Sequence, residues 1–406
     1  MRAVSTLADA ATRALDLNDI ARGDGFLFVR DGIGFAGRGV AARVPADEAV
    51  AALTSIEHDD GTGIDSGPCR PGPRALGTIP FLPGSPGEMV IPAVIVVKAP
   101  DGPCWVTSID DPGIDGADDG DLAAVGPPEP AADDYTISSV TPIDTYLAAV
   151  ESARDAVRAG RILKAVIARE IAVTAGRSLD VHGVLRRLKA SFGSSYRFSV
   201  DGFFGASPEL LVEVEGRTVR SVPLAGTAPR VGDPDRDAAI AEELIASTKN
   251  QVEHRVVIDD IHDRLLPWCS YLDWEPEPQV LAVANVQHLA TRIEGHLSSP
   301  PPAVIELVRA ISPTPALGGH PRDEALALIA AVEGVDRNRY GGAVGWVDGA
   351  GNGTWAVAIR CAELSPDGRT AHLYAGGGIV ADSEPLAELA ETQAKFQAML
   401  SAVVRP

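Results

Sequence analysis

The chain has 406 residues, 45% of them apolar, and its 35 Lys and Arg residues against 56 Asp and Glu residues give a formal net charge of −21. This length is sufficient for one large domain or two, each with a sizeable core. The charge argues against nucleic acid or an anionic membrane as a partner, because both require basic surfaces. A locally positive site or a metal ion can still bind an anionic small molecule.

Four cysteines without metal-ligand spacing are typical of reduced thiols. No apolar run is long enough to span a bilayer, and the N-terminus lacks the apolar segment of a secretory signal. We therefore expect a soluble, cytoplasmic protein.

The N-terminal third has the residue alternation of β-strands, with a hairpin predicted at Asp31-Gly32. Residues 110–134 are rich in Asp, Gly and Pro, which is typical of a linker or surface loop. We predict a β-rich portion over residues 1–134 that ends in this linker, a second portion over residues 135–406, and one integrated domain formed by both.

A helix is predicted over residues 143–160, and the strand that follows carries Lys164 inside an apolar run. A buried lysine is costly unless it is paired. Two interpretations remain open from the pattern: an edge lysine that extends to solvent, or an amine that burial keeps neutral and able to act as a general base.

Glu209 lies at the start of an apolar strand, where a glutamate is either a surface residue or a carboxyl with a raised pKa that donates a proton. A glycine-rich hairpin over residues 340–360 ends in Arg360, a natural clamp for a carboxylate.

One long helix is predicted over residues 235–266, with Glu253 and His254 midway along it. In isolation these two residues are typical of a solvated pair. A strand is predicted over residues 281–293 and contains His288. A single histidine in a strand is usually a hydrogen-bonded structural residue.

The C-terminal helix follows three glycines and places four charged side chains within an arc of about 60°; they are Glu384, Glu388, Glu391 and Lys395. The simpler interpretation is a solvated face with an ordinary i,i+4 pair. However, Glu384 and Glu388 repel each other unless a cation compensates them. We therefore hypothesise that this helix offers carboxylates to a divalent cation, beside a glycine loop that holds an acidic ligand.

Eight segments occur in the order seen in one enzyme family: SPELLV, PLAGTAPR, STKNQVEH, HLATRI, SPTPALGG, YGGAVGW, NGTWAVAIRCA and AGGGIV…ELAET. From about residue 135 to its end, the chain resembles the chorismate-utilising enzymes. These include anthranilate synthase component I, aminodeoxychorismate synthase, isochorismate synthase and salicylate synthase. The resemblance implies an α+β fold, with two antiparallel sheets stacked as a β-sandwich and helices packed outside.

Three positions distinguish the branches of the family. Ala225 stands where aminodeoxychorismate synthases carry a nucleophilic lysine, and Lys164 is present as in the water-using enzymes. Ala316 matches isochorismate synthases, whereas salicylate synthases typically carry threonine there. The resemblance thus favours an isochorismate synthase, with a salicylate synthase or an ammonia-using aminodeoxychorismate or anthranilate-type synthase as alternatives.

The resemblance also implies roles for individual residues. Lys164 would be the general base and Glu209 the general acid, and Glu253 and Glu391 would bind Mg²⁺, with Glu388 nearby through water. Substrate-binding positions would be Arg360, Tyr340, Gly376, Gly377 and Gly378, with Lys395 ordering the region and Thr227, His288 and Ala316 lining the pocket. We expect chorismate as the substrate, a monomer without a glutaminase subunit, and a product used for menaquinone, siderophores or salicylate-type metabolites.

Overall fold

The computed structural model describes residues 1–64, 70–100, 102–110, 122, 134–283 and 286–404. Most of the predicted linker at 110–134 lies outside these residues. The described strands are, in chain order, β1 (Arg2–Leu7), β2 (Phe26–Arg30), β3 (Ile33–Arg38), β4 (Ala42–Pro45), β5 (Glu57–Asp60), β6 (Arg74–Ile79), β7 (Glu88–Ile91), β8 (Val94–Lys98), β9 (Cys104–Asp110), β10 (Tyr135–Ser139), β11 (Lys164–Ala175), β12 (Tyr196–Val200), β13 (Phe203–Ser207), β14 (Leu210–Glu215), β15 (Thr218–Val222), β16 (Leu224–Pro229), β17 (Cys269–Trp274), β18 (Gln279–Ala282), β19 (Val286–Ala290), β20 (Ile293–Leu297), β21 (Gly319–His320), β22 (Ala343–Asp348), β23 (Gly353–Val357), β24 (Cys361–Leu364) and β25 (Thr370–Ile379).

The described helices are α1 (Ala10–Ala14), α2 (Leu17–Ala21), α3 (Ala49–Thr54), α4 (Ile143–Arg158), α5 (Val181–Phe192), α6 (Pro234–Ala246), α7 (Thr248–Leu265), α8 (Val304–Ile311), α9 (Arg322–Val332) and α10 (Pro385–Val404). None of these described helices is both long enough and apolar enough to cross a membrane.

The strands form two large sheets and one small sheet. The larger has the order β10-β11-β25-β24-β13-β12-β2-β3-β8-β9-β1-β5, with β21 also beside β11. The second has the order β17-β20-β15-β14-β23-β22-β6-β7-β4, and the small sheet is β16-β19-β18. Described pairs are antiparallel except β1 with β5. Strands from both predicted portions of the chain pair with each other, β2 with β12 and β6 with β22.

A buried core lies between the two large sheets. It includes Phe35, Trp105 and Phe198 from the larger sheet and Val344 and Ala356 from the second. On the opposite faces, α5 and α10 pack against the larger sheet, and α3 and α8 against the second. The predicted α+β sandwich with outer helices is therefore confirmed, with a small third sheet in addition.

Local signals located several elements correctly. The hairpin at Asp31-Gly32 is present, because both residues adopt the positive φ angles, 52° and 79°, that a tight turn between β2 and β3 requires. The helix predicted over residues 143–160 is α4.

Two predictions were wrong. The helix over residues 235–266 is broken at Ser247, which has an extended ψ of 107° and accepts a hydrogen bond from the backbone N–H of Asn250. This local cap ends α6 and starts α7 although the apolar pattern continues. The strand over residues 281–293 is instead a hairpin of β18 and β19, followed by β20 in another sheet.

Candidate active site

A cavity lies where β11 and β25 meet the small sheet and helix α7. Of the residues predicted for the site, all but two line it. They are Lys164, Glu209, Thr227, Glu253, His288, Ala316, Tyr340, Arg360, Gly376, Gly378, Glu391 and Lys395.

Lys164 begins β11 and is 4% exposed, so it does not extend to solvent at a sheet edge. Its Nζ donates a hydrogen bond of 2.6 Å to Oε1 of Glu253 on α7. Burial alone would raise the pKa of Glu253, but the positive charges of Lys164, Lys395 and Lys249 together outweigh this effect and hold that pKa below its usual value. His254 is 1% exposed, so the interpretation of Glu253 and His254 as a solvated pair is wrong.

Glu209 precedes β14 and is 3% exposed. Burial raises the pKa of its carboxyl to about 7; a hydrogen bond from the Leu224 N–H and the positive charges of Lys164 and Arg360 offset this only in part. A carboxyl with this pKa is substantially protonated at neutral pH, so it can donate a proton to a leaving group.

Thr227 and His288 face each other across β16 and β19 of the small sheet, with 3.1 Å between Thr227 Oγ1 and His288 Nδ1. Burial lowers the pKa of His288 to about 3, and the nearby Arg360 and Lys395 act in the same direction. The imidazole is therefore neutral. Its Nδ1 also lies 3.3 Å from the Gly226 carbonyl, which can only accept, so Nδ1 carries the proton and Nε2 is an acceptor.

Arg360 follows β23 in a left-handed backbone conformation with φ 50°, and its carbonyl accepts a hydrogen bond of 3.0 Å from the Ala206 N–H. Among the described residues, its guanidinium forms no hydrogen bond or ion pair. Tyr340 is buried and stacks on Tyr374 with ring centroids 5.2 Å apart; burial raises the pKa of Tyr340 to about 12, so its hydroxyl keeps its proton. The site thus presents an unpaired cation and a hydroxyl donor.

The glycines of β25 alternate between its two faces. Gly376 and Gly378 line the cavity, and a Cβ on Gly378 would lie 2.7 Å from Lys164 Cε and 3.1 Å from Glu253 Oε1. Gly377 faces the other way, where a Cβ would lie 2.8 Å from Glu388 Oε2. Because side chains alternate along a strand, Gly377 points away from the cavity. Glu388, on α10, lies against that outer side of Gly377, so these two predicted residues do not line the cavity.

The charged stripe of α10 is solvated only in part: Glu384 is exposed, Glu391 and Lys395 are partly exposed, and Glu388 is buried. Glu388 is 8% exposed, and burial raises the pKa of its carboxyl. Its Oε2 has no hydrogen-bond partner among the residues that the structure describes. Lys395 Nζ lies 2.6 Å from Glu391 Oε1 and donates a hydrogen bond of 2.7 Å to the Gly376 carbonyl.

The carboxylates are suitable ligands for Mg²⁺, which binds one or two carboxylates and keeps several waters. Glu253 from α7 and Glu391 from α10 line one cavity, and the unpartnered oxygen of Glu388 lies under Gly377. Within the described part of the chain, no three acidic, histidine or cysteine side chains already converge as a metal site. Binding would therefore use water as well as these carboxylates.

Sequence reasoning missed two buried arginines beside the site. Arg169, on β11, donates hydrogen bonds to Thr392 Oγ1 at 2.8 Å and Gln393 Oε1 at 2.6 Å, and so holds α10 next to Glu391. The signal that revealed Lys164, a charge within an apolar run, was available for Arg169 too. Arg337 forms a buried ion pair with Glu333, and no local pattern indicated it.

Comparison with known proteins places these observations in one family. The family model described as "Chorismate binding enzyme" matches residues 123–404. MenF of Mycobacterium tuberculosis is 40% identical over 344 residues, covering 82% of this chain and 86% of that protein. Isochorismate synthase DhbC of Bacillus subtilis is 39% identical over 280 residues, covering 66% of this chain and 70% of that protein.

Among solved structures, MenF, the menaquinone-specific isochorismate synthase of Escherichia coli, has a TM-score of 0.82 at 24% identity, covering 100% of this chain and 94% of that chain. This similarity concerns the fold. With the family model and the relatives, it confirms the resemblance predicted from the eight sequence segments: the chain belongs to the family of chorismate-binding enzymes.

Proposed function

We propose that the protein is an isochorismate synthase, an isomerase that converts chorismate to isochorismate with Mg²⁺ as cofactor. The observation that carries the proposal is the pairing, in one cavity, of a buried lysine with a glutamic acid whose pKa is about 7. The names of the relatives support the same reaction.

Substrate binding would use the unpaired guanidinium of Arg360, the hydroxyl of Tyr340 and the backbone beside Gly376 and Gly378. Chorismate carries two carboxylates, and a guanidinium matches a carboxylate in charge and geometry. A locally positive site of this kind reconciles an acidic protein with a dianionic substrate.

In the proposed reaction, Lys164 takes a proton from a water molecule that attacks C2 of the ring. Glu209 gives its proton to the C4 hydroxyl, which leaves as water while the ring double bonds shift. One water enters and one leaves, so the product is an isomer of the substrate. A well-placed acid or base typically contributes a factor of ~10²–10⁴ in rate.

A general base needs a free electron pair on its nitrogen, and Lys164 Nζ lies 2.6 Å from Glu253 Oε1, so Glu253 would have to be engaged elsewhere when Lys164 takes up the proton. When bound, Mg²⁺ would supply positive charge that offsets the carboxylates of the site and of the substrate. Glu253 and Glu391 would hold it; Glu388, which the resemblance places nearby through water, lies behind Gly377 and does not line the cavity.

Ala225 and Ala316 both line the cavity, and both argue against the alternatives. An alanine at 225 removes the amine nucleophile of aminodeoxychorismate synthases, and an alanine at 316 is typical of enzymes that stop at isochorismate.

We also propose that residues 1–134 and 135–406 form one integrated domain, since their strands pair in both large sheets.

The test is to incubate the protein with chorismate and Mg²⁺ and to identify products by chromatography and NMR. Isochorismate alone is expected. Salicylate with pyruvate would select a salicylate synthase, and an aminated product that requires ammonium would select an amine-transferring synthase. Absence of any product would contradict the proposal.

A further inference from the structure

A buried ion pair lies behind the wall of the cavity. Glu333 follows α9, and Arg337 lies four residues further along the chain; their side chains are 1% and 2% exposed. Arg337 Nε donates to Glu333 Oε1 at 2.6 Å, and its Nη2 donates to Oε2. Removing two charges from water is costly, so such a pair is weak evidence of stabilisation by itself. Its other contacts indicate what it does.

The pair fills a gap along one edge of β11. Strand β25 pairs with β11 along most of its length, but on the other side β21 reaches only Lys164 and Ala165, and β10 starts at Ile171. Between them, the Ala168 N–H donates to Glu333 Oε2 at 2.7 Å, and Arg337 Nη2 donates to the Val166 carbonyl at 2.6 Å. The two side chains thus bond backbone groups that a neighbouring strand would otherwise bond.

The same arginine bonds two other parts of the cavity wall. Its Nη1 donates to the Leu317 carbonyl at 2.8 Å, and its own carbonyl accepts from the Tyr340 N–H at 2.8 Å. Val166, Leu317 and Tyr340 all line the cavity. The side chain of Arg337 therefore joins the strand that carries Lys164 to the loop that carries Ala316, and its backbone bonds the turn that carries Tyr340.

We propose that Glu333 and Arg337 are positioning residues that hold Lys164 in register with the opposite wall of the cavity. This inference rests on the proposed function. Neither side chain lines the cavity, so the pair acts through the backbone of β11 and of the 316–317 loop. A displacement of about 1 Å at a reacting group can cost on the order of 10² in rate.

The experiment compares Arg337→Met with Arg337→Lys, Glu333→Gln and the control Arg197→Met. Arg197 is also a buried arginine, it does not line the cavity, and its side chain contacts Asn18. We expect Arg337→Met to lower kcat by at least tenfold while the KM for chorismate changes less than threefold, because Arg360 and the glycine backbone are untouched. Arg337→Lys should recover part of kcat. Arg197→Met should lower Tm but leave kcat near wild type.

Amide hydrogen exchange supplies a readout that does not depend on the reaction. In Arg337→Met, exchange should accelerate at residues 166–168 and 317–318 and stay near wild type at residues 171–175, where β10 covers β11. If Arg337→Met does not fold, Glu333→Gln, which keeps the side-chain shape, takes its place. A kcat within twofold of wild type, or exchange that accelerates equally along β11, would overturn the proposal. A wild-type protein that forms no isochorismate would instead refute the function, and the exchange pattern would still test the positioning.

Discussion

The ammonium of Lys164 and the carboxylate of Glu253 lie 2.6 Å apart, and both side chains line the same cavity. The proposed general base and a proposed metal ligand thus neutralise each other in the protein as it stands. Glu391 and Lys395 form a second such pair on α10. The two carboxylates proposed to hold the metal, Glu253 and Glu391, are therefore each paired with a lysine that compensates their negative charge.

Replacing the base should remove turnover. Lys164→Ala should lower kcat by about 10²–10⁴, the usual contribution of a placed base. It should still fold, although the unpaired Glu253 carboxylate costs stability. Steady-state kinetics with chorismate and a thermal melt measure both. The control is Lys189→Ala, because Lys189 lies on α5 and forms an ion pair with Asp16 outside the cavity. This variant should keep full activity. Near-full activity of Lys164→Ala would exclude it as the base.

The acid should determine how the rate falls at high pH. Glu209 must be protonated to donate, and its pKa is about 7, so kcat/KM should decline as pH rises above about 7. Glu209→Gln should lose most of kcat and also lose this limb of the profile. A wild-type rate that stays constant from pH 7 to pH 9, or a Gln variant with the same limb, would contradict the assignment.

The same carboxyl should destabilise the fold at high pH. Its pKa is 4.5 in a model compound and about 7 in the folded chain, so between these values the folded state holds a proton that the unfolded state has lost. Wild-type stability from this group is therefore present below pH 4.5 and is lost as pH rises through 7. Glu209→Gln should gain up to about 3 kcal/mol over wild type across that window.

Urea unfolding of both proteins at pH 4.5, 6 and 8 measures this gain. The exposed Glu384→Gln on α10 is the control and should show the same difference from wild type at each pH. If the difference in unfolding free energy between Glu209→Gln and wild type does not depend on pH, the raised pKa of the buried Glu209 carboxyl is refuted.

Mg²⁺ should bind through acids from two helices. Chelation should abolish isochorismate formation, and added Mg²⁺ should restore it. By calorimetry, Glu253→Gln and Glu391→Gln should each weaken Mg²⁺ binding at least tenfold, since each removes a charged ligand. Glu388→Gln should weaken it less, and Glu384→Gln should have no effect. Unchanged affinity in both Glu253→Gln and Glu391→Gln would exclude the site.

Gly378 should not tolerate a side chain. A Cβ there would come within 2.7 Å of Lys164 Cε, so Gly378→Ala should displace the lysine and lower kcat by at least tenfold. Gly349 is a matched control, because its nearest neighbour to an added Cβ is 3.7 Å away. Equal activity of the two alanine variants would indicate that the lysine position is unimportant.

The elements that the sequence predicted correctly carry local signals. The turn at Asp31-Gly32 and the helix ending near Gly160 are set by residues adjacent in the chain. The break at Ser247 was missed because one serine cap interrupts an apolar pattern that continues on both sides. The position of His288 in a separate small sheet depends on pairing with β16, about 60 residues earlier, which no local pattern encodes.

The residues of the candidate site also divide into those that have a local sequence signal and those that do not. A charge inside an apolar run indicated Lys164, a carboxyl at the start of an apolar strand indicated Glu209, and the end of a glycine-rich hairpin indicated Arg360. The resemblance did not indicate that Gly377 and Glu388 lie on the far side of β25, because that depends on strand alternation in three dimensions. The Glu333–Arg337 pair was missed because its role is to bond backbone groups of β11, and the edge of a strand is not visible in a sequence.

The central claim, water attack at C2 with loss of the C4 hydroxyl, is tested most directly by turnover of chorismate in H₂¹⁸O with Mg²⁺, followed by mass spectrometry and NMR of the product. We predict isochorismate with one ¹⁸O, located on the C2 hydroxyl. Isochorismate without ¹⁸O would contradict the mechanism, and salicylate with pyruvate or no product would contradict the function.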